Sequence, residues 1–133
     1  MSVASLLEEL AAWAATRPDV VAVGLVGSHA RGTARPDSDV DVVILCRSPD
    51  AMLEGDWPSL FGEVESQAVE DYGALKSVRV FYRNALEVEF GVADPDWARM
   101  PLDAGTKAVL ADGAQIVFDP GHLLELARRA AVA

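Results

Sequence analysis

Gly27-Ser28-His29-Ala30-Arg31-Gly32, followed by Asp37-Ser38-Asp39-Val40-Asp41-Val42-Val43-Ile44-Leu45-Cys46, is the stretch on which both fold and chemistry turn. Just upstream, residues 20–27 (VVAVGLVG) form an apolar, valine-rich run too short for a good helix. That pattern suits a strand buried on both faces. Gly-Ser at its end, before Ser28–Gly32, fits a turn into one or two helical turns. Glycine there lets a phosphate approach the backbone, the helix start offers N–H groups, and the Ser28 hydroxyl adds a donor. By themselves these residues make only a turn with a helix cap. Asp39 and Asp41 carry more weight. Two positions apart on a predicted strand, they leave the same face, with Cα atoms roughly 6.5 Å apart. Carboxylates at that spacing can each hold a magnesium ion and share oxygens between two ions ~4 Å apart. Val40 and Val42 point the opposite way, into the core. A loop cap and a solvated Asp would be the ordinary alternative, but the strand runs on as Val42–Cys46, and a buried face rarely carries two carboxylates without a cation.

Outward from this stretch, residues 3–16 read as an amphipathic helix with Leu6, Leu7, Leu10, Trp13 and Ala14 on one stripe. Ser5 and Glu8 have the spacing of a capping box, and Arg17-Pro18-Asp19 stops the helix. Ser48-Pro49 predicts another helix start, and residues 50–70 read as one or two short helices broken near Gly55 and Pro58. Ser77–Tyr82 and Leu86–Val92 alternate and are joined by Arg83-Asn84-Ala85, a hairpin signal. Lys107–Leu110 reads as a helical turn or short strand, Gln115–Phe118 as a strand after Asp112-Gly113, and Pro120–Ala131 as a closing helix started by Asp119-Pro120-Gly121. In Leu86-Glu87-Val88-Glu89-Phe90, alternation puts Glu87 and Glu89 together opposite Leu86, Val88 and Phe90. If that strand lies beside Val40–Cys46, either acid can supply a third metal ligand. The expectation is an α/β (α+β) fold, a single domain over residues 1–133, with a mixed sheet of four to five strands flanked by helices.

Composition narrows the function. At 133 residues and 51% hydrophobic, the chain supports one packed core. Apolar runs fall short of the ~20 residues a bilayer requires, and the N-terminus carries Glu8 and Glu9 where a secretory signal would be apolar. One cysteine, Cys46, sits in an apolar run and reads as core. A cytoplasmic protein with no membrane association is expected. Asp and Glu total 21 against 11 Lys and Arg, a net charge of −10. Such a surface repels nucleic-acid phosphates and anionic lipids. His29 reads as rim, and Arg31 either assists phosphate binding or pairs with a carboxylate such as Asp37. Trp13, Trp57 and Trp97 read as packing rather than base-stacking residues.

Residues 24–45 resemble the nucleotidyltransferase motif of the DNA polymerase β superfamily: Gly27-Ser28, then Ala30-Arg31-Gly32, then Asp39-Val40-Asp41. The stretch from Glu87-Val88-Glu89-Phe90-Gly91 through Trp97 to Asp112-Gly113 resembles small bacterial nucleotidyltransferase-domain proteins more loosely. The resemblance implies a nucleotidyltransferase fold and two Mg2+ (or Mn2+) ions held by Asp39, Asp41 and Glu89. Glu89 stands where the family usually has Asp, with Glu87 as second candidate. Gly27 and Ser28 would hold the terminal phosphates of a nucleoside triphosphate. The implied reaction moves a nucleoside monophosphate, expected to be AMP from ATP, onto a hydroxyl of a protein or small-molecule acceptor. Small relatives of this kind include antitoxins facing helical HEPN-type ribonuclease toxins, and a basic partner of that sort would complement the acidic surface. The alternative is a non-catalytic, antitoxin-like binding module that neutralises a partner by contact. The separation of Glu89 from Asp39 and Asp41 discriminates the two.

Overall fold

The computed structural model describes residues 2–133. Helix α1 (Val3–Ala15) precedes β1 (Val20–Val26), and a one-turn helix α2 (Ser28–Arg31) leads by a loop to β2 (Val40–Cys46). Helix α3 (Pro49–Glu54) and a 3-10 helix (Trp57–Phe61) come before β3 (Val64–Asp71), β4 (Lys76–Tyr82) and β5 (Glu87–Ala93). A second 3-10 helix (Pro95–Ala98), α4 (Ala104–Ala111), β6 (Ala114–Phe118) and α5 (Leu123–Val132) complete the chain. The strands form one mixed sheet in the order β3-β4-β5-β2-β1-β6. Only β2 and β5 run parallel, and every other neighbouring pair is antiparallel.

Apolar residues on alternate positions of the central strands feed two cores. Val40, Val42, Ile44, Val88, Phe90 and Val92 face α1 and the first 3-10 helix. Val43, Leu45 and Ala93 face the other way, with Leu110 of α4 and Leu124 and Ala127 of α5. This double covering is why β1 and β2 read as nearly unbroken apolar runs. On the first face, Trp13 and Trp57 stack with centroids 5.1 Å apart, and Phe90 meets Trp57 edge-on at 4.9 Å. Both tryptophans are buried, and Trp97 packs half-buried against the second core. Packing is the role the sequence predicts for all three.

Three expectations need correction. The sheet has six strands, not four to five, because residues 64–71 form an edge strand instead of continuing as helix. Most of β3 is exposed on both faces, so it lacks the alternation that marks a half-buried strand, and its order comes from the ladder it forms with β4. The capping box on α1 is Ser2 with Ser5, not Ser5 with Glu8: Ser5 N–H donates to Ser2 Oγ at 3.1 Å and Ser2 N–H to Ser5 Oγ at 3.1 Å. Finally, α5 starts at Leu123 rather than Pro120. The Asp119 carboxylate accepts from the N–H groups of Leu124 (3.2 Å) and Glu125 (2.9 Å), which fixes the helix start. No helix among the described residues is long and apolar enough to cross a membrane.

Candidate active site

The site forms where the ends of three central strands lie side by side. Antiparallel pairing sets Val26 of β1 opposite Asp41 of β2, and parallel pairing sets Asp41 beside Glu89 of β5. On the far side of β5, Arg79 of β4 is the partner of Glu89, and Ala68 of β3 the partner of Arg79. Val26, Asp41, Glu89, Arg79 and Ala68 therefore form one row across five strands. Neighbouring strands lie about 4.8 Å apart, so adjacent row members project side by side. Asp39 stands at the entrance of β2 and turns to the same side.

Asp39, Asp41 and Glu89 each offer a carboxylate oxygen, and these oxygens lie within 4.8 Å of one another. All three side chains are partly buried; Glu89 keeps only 16% of its side-chain surface exposed. Of the two candidate third acids, Glu89 is therefore the one that converges with the aspartates. Glu87 shares its face and, like Glu89, pairs with Arg79, but it lies outside the cluster. Beside the triad opens a cleft of ≈ 140 Å³ with an apolar wall that includes Val26, Val43, Leu75 and Val109. Poor hydration against that wall, reinforced by the negative charges of Asp39 and Glu89 and only partly offset by Arg79, pushes the Asp41 carboxyl up to about 7. Such a set of hard oxygen donors, its charge only partly compensated by Arg79, fits a divalent cation such as Mg2+ or Mn2+.

Gly27 links the first strand to these acids. Its φ of +76° is one that L side chains rarely adopt, and a Cβ there would collide with the Asp41 carboxylate. Glycine is thus required twice over, for the turn and for the close approach. Its carbonyl accepts from the N–H groups of Ala30 and Arg31, both at 3.1 Å, so the chain winds at once into α2 with Ser28 as its first residue. A second cleft of ≈ 520 Å³ includes Gly27 and shares Val26 and Val109 with the first. The cleft beside Gly27 therefore adjoins the one beside the acids. His29 stays at the rim, its Nε2 3.4 Å from the Ser38 carbonyl oxygen. Arg31 pairs with Asp112 rather than Asp37, bracing the start of β6 against α2 from a residue far away in sequence.

The side chain that the sequence left unmarked is Arg79. Its guanidinium reaches Glu70 (2.7 Å), Glu89 (2.7 Å), Asp39 (3.3 Å) and Glu87. The bond to Glu70 first, then those to Glu87 and Glu89, raises its already high pKa against the cost of its burial. Arg79 lies in a strand read only for its alternation. The one signal available was a basic residue on the same face as Glu87 and Glu89 across the predicted hairpin.

Comparison with known proteins agrees with this geometry. The family of nucleotidyltransferase domains matches over residues 6–91, which contains Gly27, Ser28, Asp39, Asp41 and Glu89. Among solved structures, the crystal structure of an aminoglycoside 6-adenyltransferase from Bacillus subtilis superposes with a TM-score of 0.59 at 12% identity. The match covers 74% of this chain and 37% of that one, so the chain spans well under half the length of that relative, and the likeness is one of fold. No curated protein matches the sequence significantly. With the matched segment covering well over half of the chain and enclosing the acidic cluster, the chain belongs to the nucleotidyltransferase-domain family.

Proposed function

We propose that the protein is a divalent-metal-dependent nucleotidyltransferase that moves AMP from ATP onto a hydroxyl of a protein or small-molecule acceptor. The observation that carries this reading is the convergence of Asp39, Asp41 and Glu89 on one spot beside the Gly27-Ser28 turn. A contact-only binding module has no need for three partly buried acids within 4.8 Å. The named reaction of the structural relative, adenyl transfer, favours AMP as the group transferred.

In this reading Gly27 and Ser28 bind the terminal phosphates. In α2 the N–H groups of Ala30 and Arg31 already bond the Gly27 carbonyl, which leaves those of Ser28 and His29 at the helix start for a ligand; Gly27 allows close approach, and the Ser28 hydroxyl donates. Asp39, Asp41 and Glu89 would hold Mg2+ or Mn2+, which when bound supplies a lowered acceptor pKa and neutralises charge on the α-phosphate and the departing pyrophosphate. In the same reading Glu89 also accepts the proton of the acceptor hydroxyl. The acceptor oxygen bonds to the α-phosphorus, the bond from that phosphorus to the β-phosphate oxygen breaks, and pyrophosphate leaves. The apolar wall around Val43 and Val109 limits water at the reacting centre. The net charge of −10 favours a cationic acceptor, a basic protein or a small polycation, over a nucleic acid.

The test is transfer of α-labelled nucleotide to candidate acceptors, basic proteins and aminoglycosides among them. Glu89→Gln should lower the rate by at least 10²–10⁴ while the fold is unchanged, since shape is kept and only charge is lost. Glu87→Gln should cost far less. Loss in Glu87→Gln with full activity in Glu89→Gln would assign the third acid to the wrong residue. Absence of transfer by the wild-type protein across nucleotides and acceptors would overturn the enzymatic reading in favour of the antitoxin-like module.

A further inference from the structure

Arg79 is the one basic side chain, among the described residues, that forms an ion pair with any of Asp39, Asp41 and Glu89. Its four carboxylate partners fall into two sets. Asp39 and Glu89 belong to the triad. Glu70, on the edge strand β3, and Glu87, at the start of β5, do not. Register explains the division. Arg79 lies one strand from Glu89 and two from Asp41 in the same row, so its side chain reaches the triad from the side while Nε stays on Glu70.

We propose that Arg79 is a built-in counter-cation of the metal-free site, competing with the divalent ion for Asp39 and Glu89, and that Glu70 and Glu87 are the berth that holds it when the ion enters. This rests on the metal-binding reading of the triad given above. A guanidinium cannot shed its proton to make room for a second cation, so a divalent ion at the triad meets a fixed positive charge a few Å away. Binding requires Asp39 and Glu89 to exchange Arg79 for the metal. The exchange is feasible because Arg79 keeps two charge-assisted partners outside the triad after it lets go. The berth therefore sets how tightly the metal binds. Removing the arginine frees the acids, whereas removing the berth drives the arginine onto them.

These opposite signs give a test that a merely structural arginine would fail. Binding of Mn2+ alone, without nucleotide, is followed by titration calorimetry and by the paramagnetic resonance of free Mn2+. Thermal melting in chelator runs in parallel. Arg79→Met should bind Mn2+ about tenfold or more tightly than wild type, since a unit positive charge within a few Å has been removed, yet melt lower in chelator because the acids have lost their counter-charge. The double variant Glu70→Gln/Glu87→Gln should bind Mn2+ several-fold more weakly. Arg79→Lys, which keeps the charge and loses the forked geometry, should fall between wild type and Arg79→Met. Unchanged or weaker Mn2+ binding by Arg79→Met overturns the proposal. If Arg79→Met does not fold, the double variant decides, and wild-type affinity in it overturns the proposal equally. Should wild type and all variants fail to bind Mn2+, the metal-binding reading of the triad fails with it. Wild-type binding that ignores both substitutions removes only the role given to Arg79.

Discussion

At the scale of single residues, the acids were legible and their neighbours were not. Asp39, Asp41 and the pair Glu87 and Glu89 stood out because strand alternation is local: two positions apart means one face, and polar residues inside valine-rich runs are conspicuous; alternation left the choice between the two glutamates open. That Asp41 lies beside Glu89 is a matter of strand order, which alternation does not specify. The role of Arg79 depends on the same nonlocal fact, since a lone arginine on an alternating strand reads as solvated surface. Of the two readings of Arg31, the one that paired it with a local carboxylate such as Asp37 missed for a related reason, its partner Asp112 lying 81 residues away. The Asp41 carboxyl carries a consequence for stability. Its pKa of about 7 in the folded chain stands above the ordinary aspartate value of 3.8, so the folded state holds this proton more firmly than the unfolded one. The contribution is fully present below the unfolded value and is lost as pH rises through about 7. Asp41→Asn removes the titration. In chelator, the variant should match wild type near pH 4 and exceed it at pH 8. The full shift corresponds to about 4 kcal/mol, and partial hydration of the carboxylate reduces this to the order of 1–2 kcal/mol, or about 3–8 °C in Tm. Melting curves at both pH values check it. A wild type more stable than the variant at pH 8 without metal would contradict the electrostatic picture of the site.

At the scale of elements, what the sequence made plain was whatever buries a face. Strands β1, β2, β4 and β5 and helix α1 have apolar periodicity, and the structure has them within a residue or two of the expected bounds. Strand β3 was missed because it buries almost nothing: Val69 is 58% exposed. Its Glu70 nevertheless anchors Arg79, so an element invisible to hydrophobic patterning takes part in the site. The two kinds of element should differ sharply under mutation. Trp57 stacks on Trp13, meets Phe61 and Phe90, and donates its indole N–H to the Met52 carbonyl at 2.7 Å. Trp57→Ala should therefore cost about 3–5 kcal/mol, whereas Val69→Ala should stay within about 0.5 kcal/mol. Denaturant titration measures both. Amide exchange should give the same order, with β3 protons exchanging well before those of β2, as expected where few buried contacts restrain opening. Comparable losses for the two substitutions would mean that β3 carries more of the fold than its exposure indicates.

At the scale of the whole molecule, two facts compete: an overall charge of −10 and a concentrated knot of acids at one end of the central strands. Both make the protein respond to cations, through different physics. Net negative charge destabilises a compact chain by diffuse self-repulsion, which any salt screens once the Debye length falls to about 10 Å near 0.1 M. The triad responds to ions that enter it. Sodium chloride raised from 20 to 200 mM should therefore increase the melting temperature modestly, and by similar amounts in wild type, Asp39→Asn and Asp41→Asn. Millimolar Mn2+ or Mg2+ with ATP, at ionic strength matched by sodium chloride, should add a further increase in wild type through mass action on the folded state, about 2.7 kcal/mol when free ligand is a hundred times its Kd. Each asparagine variant should lose most of that surplus while keeping the sodium response. The separation of the two responses is the informative quantity. If the divalent surplus persisted in both variants, the ions would be screening the surface as sodium does, and the three acids would have no special hold on a metal. If the surplus vanished in the variants and appeared in wild type only when ATP was present, the nucleotide phosphates would be supplying part of the coordination, consistent with the cleft beside Gly27 adjoining the one beside the acids.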